Sequence, residues 1–231
     1  MTLYNLLLML PQEVAADDSF VNVLVQRFNE GGEYMWPVLI SLIIGLAISF
    51  ERIITLNRAD INTRKFIVTV KGALEEGGIS SAEEVCANTR GPVAAVFQAG
   101  LLRHDEGIEA VEKAIVSYGS IEMSFLERGL VWLSLFISLA PMFGFLGTVV
   151  GMVAAFDSIE SAGDISPSLV AGGIKVALLT TVFGLITAII LQFFYNYITS
   201  KIDRIVIDME EASIELIDSL VLINAGRPSQ D

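Results

Sequence analysis

Three long apolar runs constrain this chain more than anything else in it. Tyr34 to Leu56 reads YMWPVLISLIIGLAISFERIITL, Leu130 to Phe156 ends in APMFGFLGTVVGMVAAF, and Leu169 to Ile198 reads LVAGGIKVALLTTVFGLITAIILQFFYNYI. About 20 apolar residues cross a bilayer as a helix, and a helix satisfies its own backbone in hydrocarbon. No Asp or Glu lies between Leu130 and Phe156 or between Leu169 and Ile198. The pattern predicts an all-α integral membrane protein with three transmembrane helices, the second and third long and extending into a cytoplasmic helical bundle. Composition agrees: 53% of residues are hydrophobic and only 18% are charged, too apolar for an ordinary soluble domain.

Seven segments follow from the runs and breakers. Residues 1–33 are a membrane-associated segment outside the cytoplasm, whose first stretch, MTLYNLLLMLP, lacks the basic start of a signal peptide and reads as a retained helix. Helix is also expected around Phe20 to Phe28. Residues 34–56 are the first span, with Tyr34 and Trp36 as interfacial anchors. Residues 57–127 are a polar helical region broken at Gly77-Gly78 and Gly91-Pro92. Its last helix, from near Gly107, is expected to run unbroken into the second span, 128–156, with Gly119 and Gly129 tolerated. A loop, 157–168, leads to the third span, 169–198. In the tail, 199–231, Ile202, Ile205, Met209, Ser213, Leu216 and Leu220 share one side of a helix. Lys and Arg crowd the 57–127 region and the tail, whereas the loop between spans two and three has none, so both crowded segments are expected in the cytoplasm and the N-terminus outside.

Chemistry is sparse. His104 sits in a polar segment and reads as a surface residue; Cys86, the single cysteine, reads as a small packing residue. No metal cluster, phosphate loop or nucleophile motif is visible, so neither cofactor, metal site nor enzyme activity is expected. The formal net charge of −13 argues against a nucleic-acid partner.

Polar residues inside the spans are costly and therefore informative. On the second span Ala140, Pro141, Gly144, Gly147, Thr148, Gly151 and Ala155 share a small face; on the third, Ile174, Ala177, Thr181, Gly184, Ala188 and Gln192 share another. Thr148 and Thr181 fall near the same depth. Two readings stand. Each hydroxyl bonds back to its own helix and the glycines simply allow close packing, or the faces form a polar lining around a space for another helix, water or ions. Lys175 also has two readings: it snorkels to Asp157, Glu160 or Asp164, or it meets a carboxylate of a neighbouring chain. A proton relay built from this chain alone lacks a carboxylate in the second and third spans.

The run from Ala140 to Met152 and the stretch GGIKVALLTTVFGLITAI from Gly172 to Ile189 resemble the ExbB/TolQ family, closest to ExbB, with the flagellar subunit MotA more distant. The expected topology resembles that family too. The resemblance implies a homo-pentamer in the bacterial inner membrane, its N-terminus and 157–168 loop periplasmic and its C-terminus cytoplasmic. The second and third helices would line a pore, with Pro141, Gly144, Gly147, Gly151, Ala177 and Gly184 on the pore face. An ExbD/TolR-like single-span partner would carry a membrane Asp, and proton-motive force would drive a motor energising a TonB-like transducer for outer-membrane transport. Thr148 and Thr181 match the family's pore-facing threonines. The chain departs from the family where many members carry a third-helix Glu: here the run is Gly173-Ile174-Lys175-Val176-Ala177-Leu178. That leaves the coupling ion, proton or sodium, open, and gives Lys175 a possible electrostatic role. The alternatives are a TolQ- or MotA-like subunit for envelope integrity or motility, a passive membrane scaffold, and a self-sufficient transporter.

Overall fold

In a computed structural model of the chain, residues 20–163 and 167–226 are described. The expected helix at Met1 to Pro11 lies outside them. The described residues are helical throughout, without a strand: α1 (Phe20–Glu30), α2 (Met35–Ala59), α3 (Thr63–Asn88), α4 (Pro92–Leu101), a single 3-10 turn (His104–Glu106), α5 (Ile108–Leu126), α6 (Leu130–Ala162) and α7 (Pro167–Gly226). Three helical stretches among them are long and apolar enough to cross a membrane. Two compact units emerge, one from Met1–Leu39 and Ala140–Ile186, the other from Ile40–Leu139 and Thr187–Asp231.

The second unit has an oil-drop core. Phe66, Val70, Leu74, Cys86, Val96, Phe97, Val111, Met209 and Leu216 are buried together. The tail of α7 buries the side that its spacing predicts: Ile202, Ile205, Met209, Ser213, Leu216 and Leu220, joined by Ala212. The breakers act as expected. Gly78, at φ +69°, kinks α3, and Gly91, at φ +120°, precedes Pro92 at the start of α4. Asn62 caps α3 by accepting from the Lys65 amide at 3.0 Å. Arg52, although buried, donates to the Phe125 carbonyl at 3.3 Å, adding to the Arg128 amide that reaches the same oxygen at the end of α5.

Two boundaries differ from the sequence expectation. The helix from Gly107 does not run unbroken into the second span: α5 stops at Leu126, and Gly129 takes φ +88° before α6 begins. A left-handed residue costs glycine little and ends a helix outright. The second long helix, in turn, does not stop at Asp157. It continues to Ala162, where Gly163, at φ +68°, ends it with its amide 3.1 Å from the Ile159 carbonyl. In that extra stretch Ser158 and Ser161 donate back to the carbonyls of Ala154 and Asp157, each at 2.8 Å.

The first unit reverses the usual burial. Ala140, Gly144, Gly147, Gly151 and Ala155 of α6 are buried, as are Ala177, Thr180 and Gly184 of α7. Met142, Phe145, Leu146, Val149, Val153 and Phe156 are exposed, and so are Leu178, Val182, Leu185 and Ile186. Water would not tolerate such a continuous apolar surface, whereas lipid suits it. The protein is a membrane protein.

Candidate functional site: a threonine pair in a glycine seam

The seam is set by residue size. On α6 the buried small residues recur at intervals of four, three, four and four; on α7 Gly173, Ala177, Thr180 and Gly184 recur at four, three and four. These intervals keep one face of each helix free of bulk. The helices consequently approach to backbone contact. A Cβ on Gly184 would stand 2.7 Å from the Ala140 carbonyl oxygen, and one on Gly144 would stand 2.8 Å from the Thr180 carbonyl oxygen. Gly147 faces the Thr180 side chain, Gly151 faces Ala177, and Gly173 abuts Ala155.

Thr148 and Thr181 meet at the edge of this seam, both half-buried, and their hydroxyls are hydrogen-bonded to each other. Thr148 Oγ1 lies 3.0 Å from the Ala177 carbonyl across the seam and 3.2 Å from the Gly144 carbonyl of its own helix. Thr181 Oγ1 lies 3.3 Å from the Gly144 carbonyl. Ala177 is a shared acceptor, because Thr180 Oγ1 also donates to it at 2.8 Å.

Of the residues singled out in the sequence, Gly144, Gly147, Gly151, Ala177 and Gly184 come together within the chain, α6 against α7. Pro141 is half-buried on α6. Ile174 and Gln192 are exposed instead of sharing the packed face of α7. That face is centred on Thr180, one residue from the expected Thr181, because Gly173 and Gly184 decide where a neighbouring backbone can approach. Lys175 reaches neither Asp157 nor Glu160: its ammonium lies 3.0 Å from the Glu30 carboxylate of α1. Asp164 lies outside the described residues. The Lys175 ammonium, ahead of Arg27, holds the Glu30 carboxyl below the usual carboxylate range against the opposing pull of desolvation. The sequence pattern placed neither Thr180 nor Gly173 on the packed face, although their spacing could have revealed them; Glu30 is too far away in sequence to give a signal. Cys86 is buried, and burial, with Glu83 a lesser cause, pushes its thiol up to about 12. His104 is half-buried in the 3-10 turn.

Residues 88–211 match the MotA/TolQ/ExbB proton channel family. The chain belongs to that family. It is 33% identical over 203 residues to a putative biopolymer transport protein ExbB homolog of Methanothermobacter thermautotrophicus, covering 87% of this chain and 70% of that one. A putative biopolymer transport protein ExbB-like 1 of Synechocystis is 30% identical over 77% of this chain and 71% of its own. Motility protein A of Borreliella burgdorferi is 25% identical over 73% and 61%. For a member of a proton channel family, the chemistry of the threonine pair is apt. Two hydroxyls bring two protons and four lone pairs. Once those protons are placed on the mutual bond and a carbonyl, lone pairs remain to receive a hydrogen bond or a cation. No charge of the pair's own holds the visitor there.

Proposed function

We propose that this chain is the pore-forming scaffold subunit of a motor driven by proton-motive force, with Thr148 and Thr181 on the ion route. The observation that carries the reading is the hydroxyl pair itself: acceptors at mid-span, with no Asp or Glu in either apolar run. Such a pair completes a site whose acidic half comes from another chain. An ionised Asp inside a bilayer is costly alone; threonine hydroxyls lower that cost by hydrogen bonding without trapping the proton. Each elementary charge crossing the field releases about 2.3 kcal/mol per 100 mV, enough to bias steps between equivalent subunits.

In this reading five copies surround an ExbD/TolR-like single-span partner in the inner membrane. The N-terminus and the 157–168 loop are periplasmic, the 57–127 region and the tail cytoplasmic. The first two relatives are named for biopolymer transport, which supports transport as the work done; a TonB-like transducer at the outer membrane is the form of it proposed here. The similarity to Motility protein A keeps a motility role as the second reading. The pore-face role of Pro141 and the glycines is part of the same proposal: packing fixes where the hydroxyls sit.

The test is Thr148→Val and Thr181→Val in the intact complex. Both are expected to cripple proton flux and coupled work while leaving the amount of assembled protein unchanged. Normal coupling in both single variants and in the double variant overturns the reading and leaves a passive scaffold. Flux that follows sodium instead of protons would change the coupling ion. A co-purifying one-span chain with a membrane Asp is the expected partner.

A further inference from the structure

The N-terminal helix is fastened to the start of the third span at several points. Gly31 and Gly32 end α1, and Gly32, at φ +75°, turns the chain into α2 at a point where an added Cβ would lie 3.8 Å from Val176. Phe28 meets Trp36 edge-on at 5.6 Å and Phe183 at 6.5 Å. Glu30 then receives the Lys175 ammonium at 3.0 Å and the Arg27 guanidinium at 3.0 Å, while Gln26 donates to its other oxygen at 3.3 Å. One carboxylate thus faces two cations, and its own side chain is 24% exposed.

Lys175 precedes Thr181 by six residues, which is about 9 Å along a helix. An unbalanced ammonium at that range, beside an apolar slab that screens poorly, would repel any cation bound for the hydroxyl pair. At an effective dielectric constant of about 20 the repulsion lowers cation occupancy on the order of tenfold. Among the described residues, Glu30 is the carboxylate that pairs with Lys175.

We propose that Glu30 is a positioning residue for the ion route: it clasps Lys175 and offsets that ammonium's charge beside the Thr148–Thr181 site. This rests on the ion-route reading above. The clasp acts through charge. Its strap-like form, with Phe28 and the Gly32 turn, serves to hold the carboxylate in place.

The experiment measures potential-driven proton uptake into dye-loaded vesicles carrying the intact complex, with protein levels checked by immunoblot. Glu30→Gln is expected to lower flux on the order of tenfold. Adding Lys175→Met to it should restore flux to near the parent, because the ammonium that Glu30 offset is gone although the clasp is still broken. The swapped pair, Glu30→Lys with Lys175→Glu, should also keep near-parent flux. A purely mechanical strap predicts the reverse for the neutral pair: as impaired as Glu30→Gln alone. Unchanged flux in Glu30→Gln, or no recovery in the neutral pair, overturns the proposal. If Glu30→Gln does not accumulate, the swapped pair decides, and a swapped chain that accumulates without flux overturns it. Thr148→Val and Thr181→Val run alongside separate the two failures. Intact flux in both sinks the ion route itself; lost flux there with no effect of Glu30→Gln sinks only the clasp.

Discussion

The two units of this chain hold their helices together by opposite means. In the unit containing α3, α4 and α5, large side chains fill the interior: Phe97 is 1% exposed and meets Phe66 at a ring distance of 5.3 Å. In the unit containing the first third of α7, the seam between α6 and α7 is glycine, alanine and threonine, and bulky side chains such as Phe145, 66% exposed, point outward. The first arrangement draws its stability from removing apolar area from water. The second has no such gain to draw on, since lipid is as apolar as the interior, and depends on close backbone approach and shared hydrogen bonds. Size therefore has opposite meanings in the two places: bulk is needed inside one and excluded from the other.

Substitutions can break this contrast. Phe97→Ala should cost about 3–5 kcal/mol, read as a large fall in Tm of the purified protein in detergent. Phe145→Ala should leave Tm nearly unchanged, and equal losses in the two variants would erase the distinction. Gly184→Leu should cost about 1–3 kcal/mol through overpacking, because its first added carbon already meets the Ala140 backbone, which cannot swing away as a side chain can. A smaller effect sharpens the picture of the first-named interior. Cys86 should resist thiol reagents at neutral pH until the protein unfolds. Its folded thiol is raised to about 12, so its contribution to stability is complete below the ordinary thiol range and disappears as pH climbs towards 12. Alkylation of the native protein at pH 7 would show an opening in the packed core.

What the sequence disclosed, and what it hid, follows from the same physics. The spans were legible because apolar length is a one-dimensional property, and the kinks at Gly78 and Gly91 because each stands in a run of poor helix formers or beside proline. Gly129 was not, since Gly119, another lone glycine in a helical pattern, stays helical. Only the surroundings distinguish them. The α6 half of the seam was legible because five small residues repeat without exception. The α7 half was read about one residue off, towards the polar Thr181 and away from the smaller Gly173. Lys175 was correctly marked as unusual, but its partner lies on a helix 145 positions earlier, and no local pattern announces an ion pair of that kind.

The shared acceptor at Ala177 has one more consequence. A carbonyl oxygen has two lone pairs, and here the hydroxyls of Thr148 and Thr180 both claim them. The amide of Thr181, the regular partner of that carbonyl in the helical ladder, is a third claimant. In the middle of its apolar stretch, α7 thus has one turn whose backbone bond is diluted by side-chain competition. Hydroxyls that compete for a helical carbonyl favour local bending, so the turn of α7 that ends on Thr181 resists bending less than its ladder alone would provide.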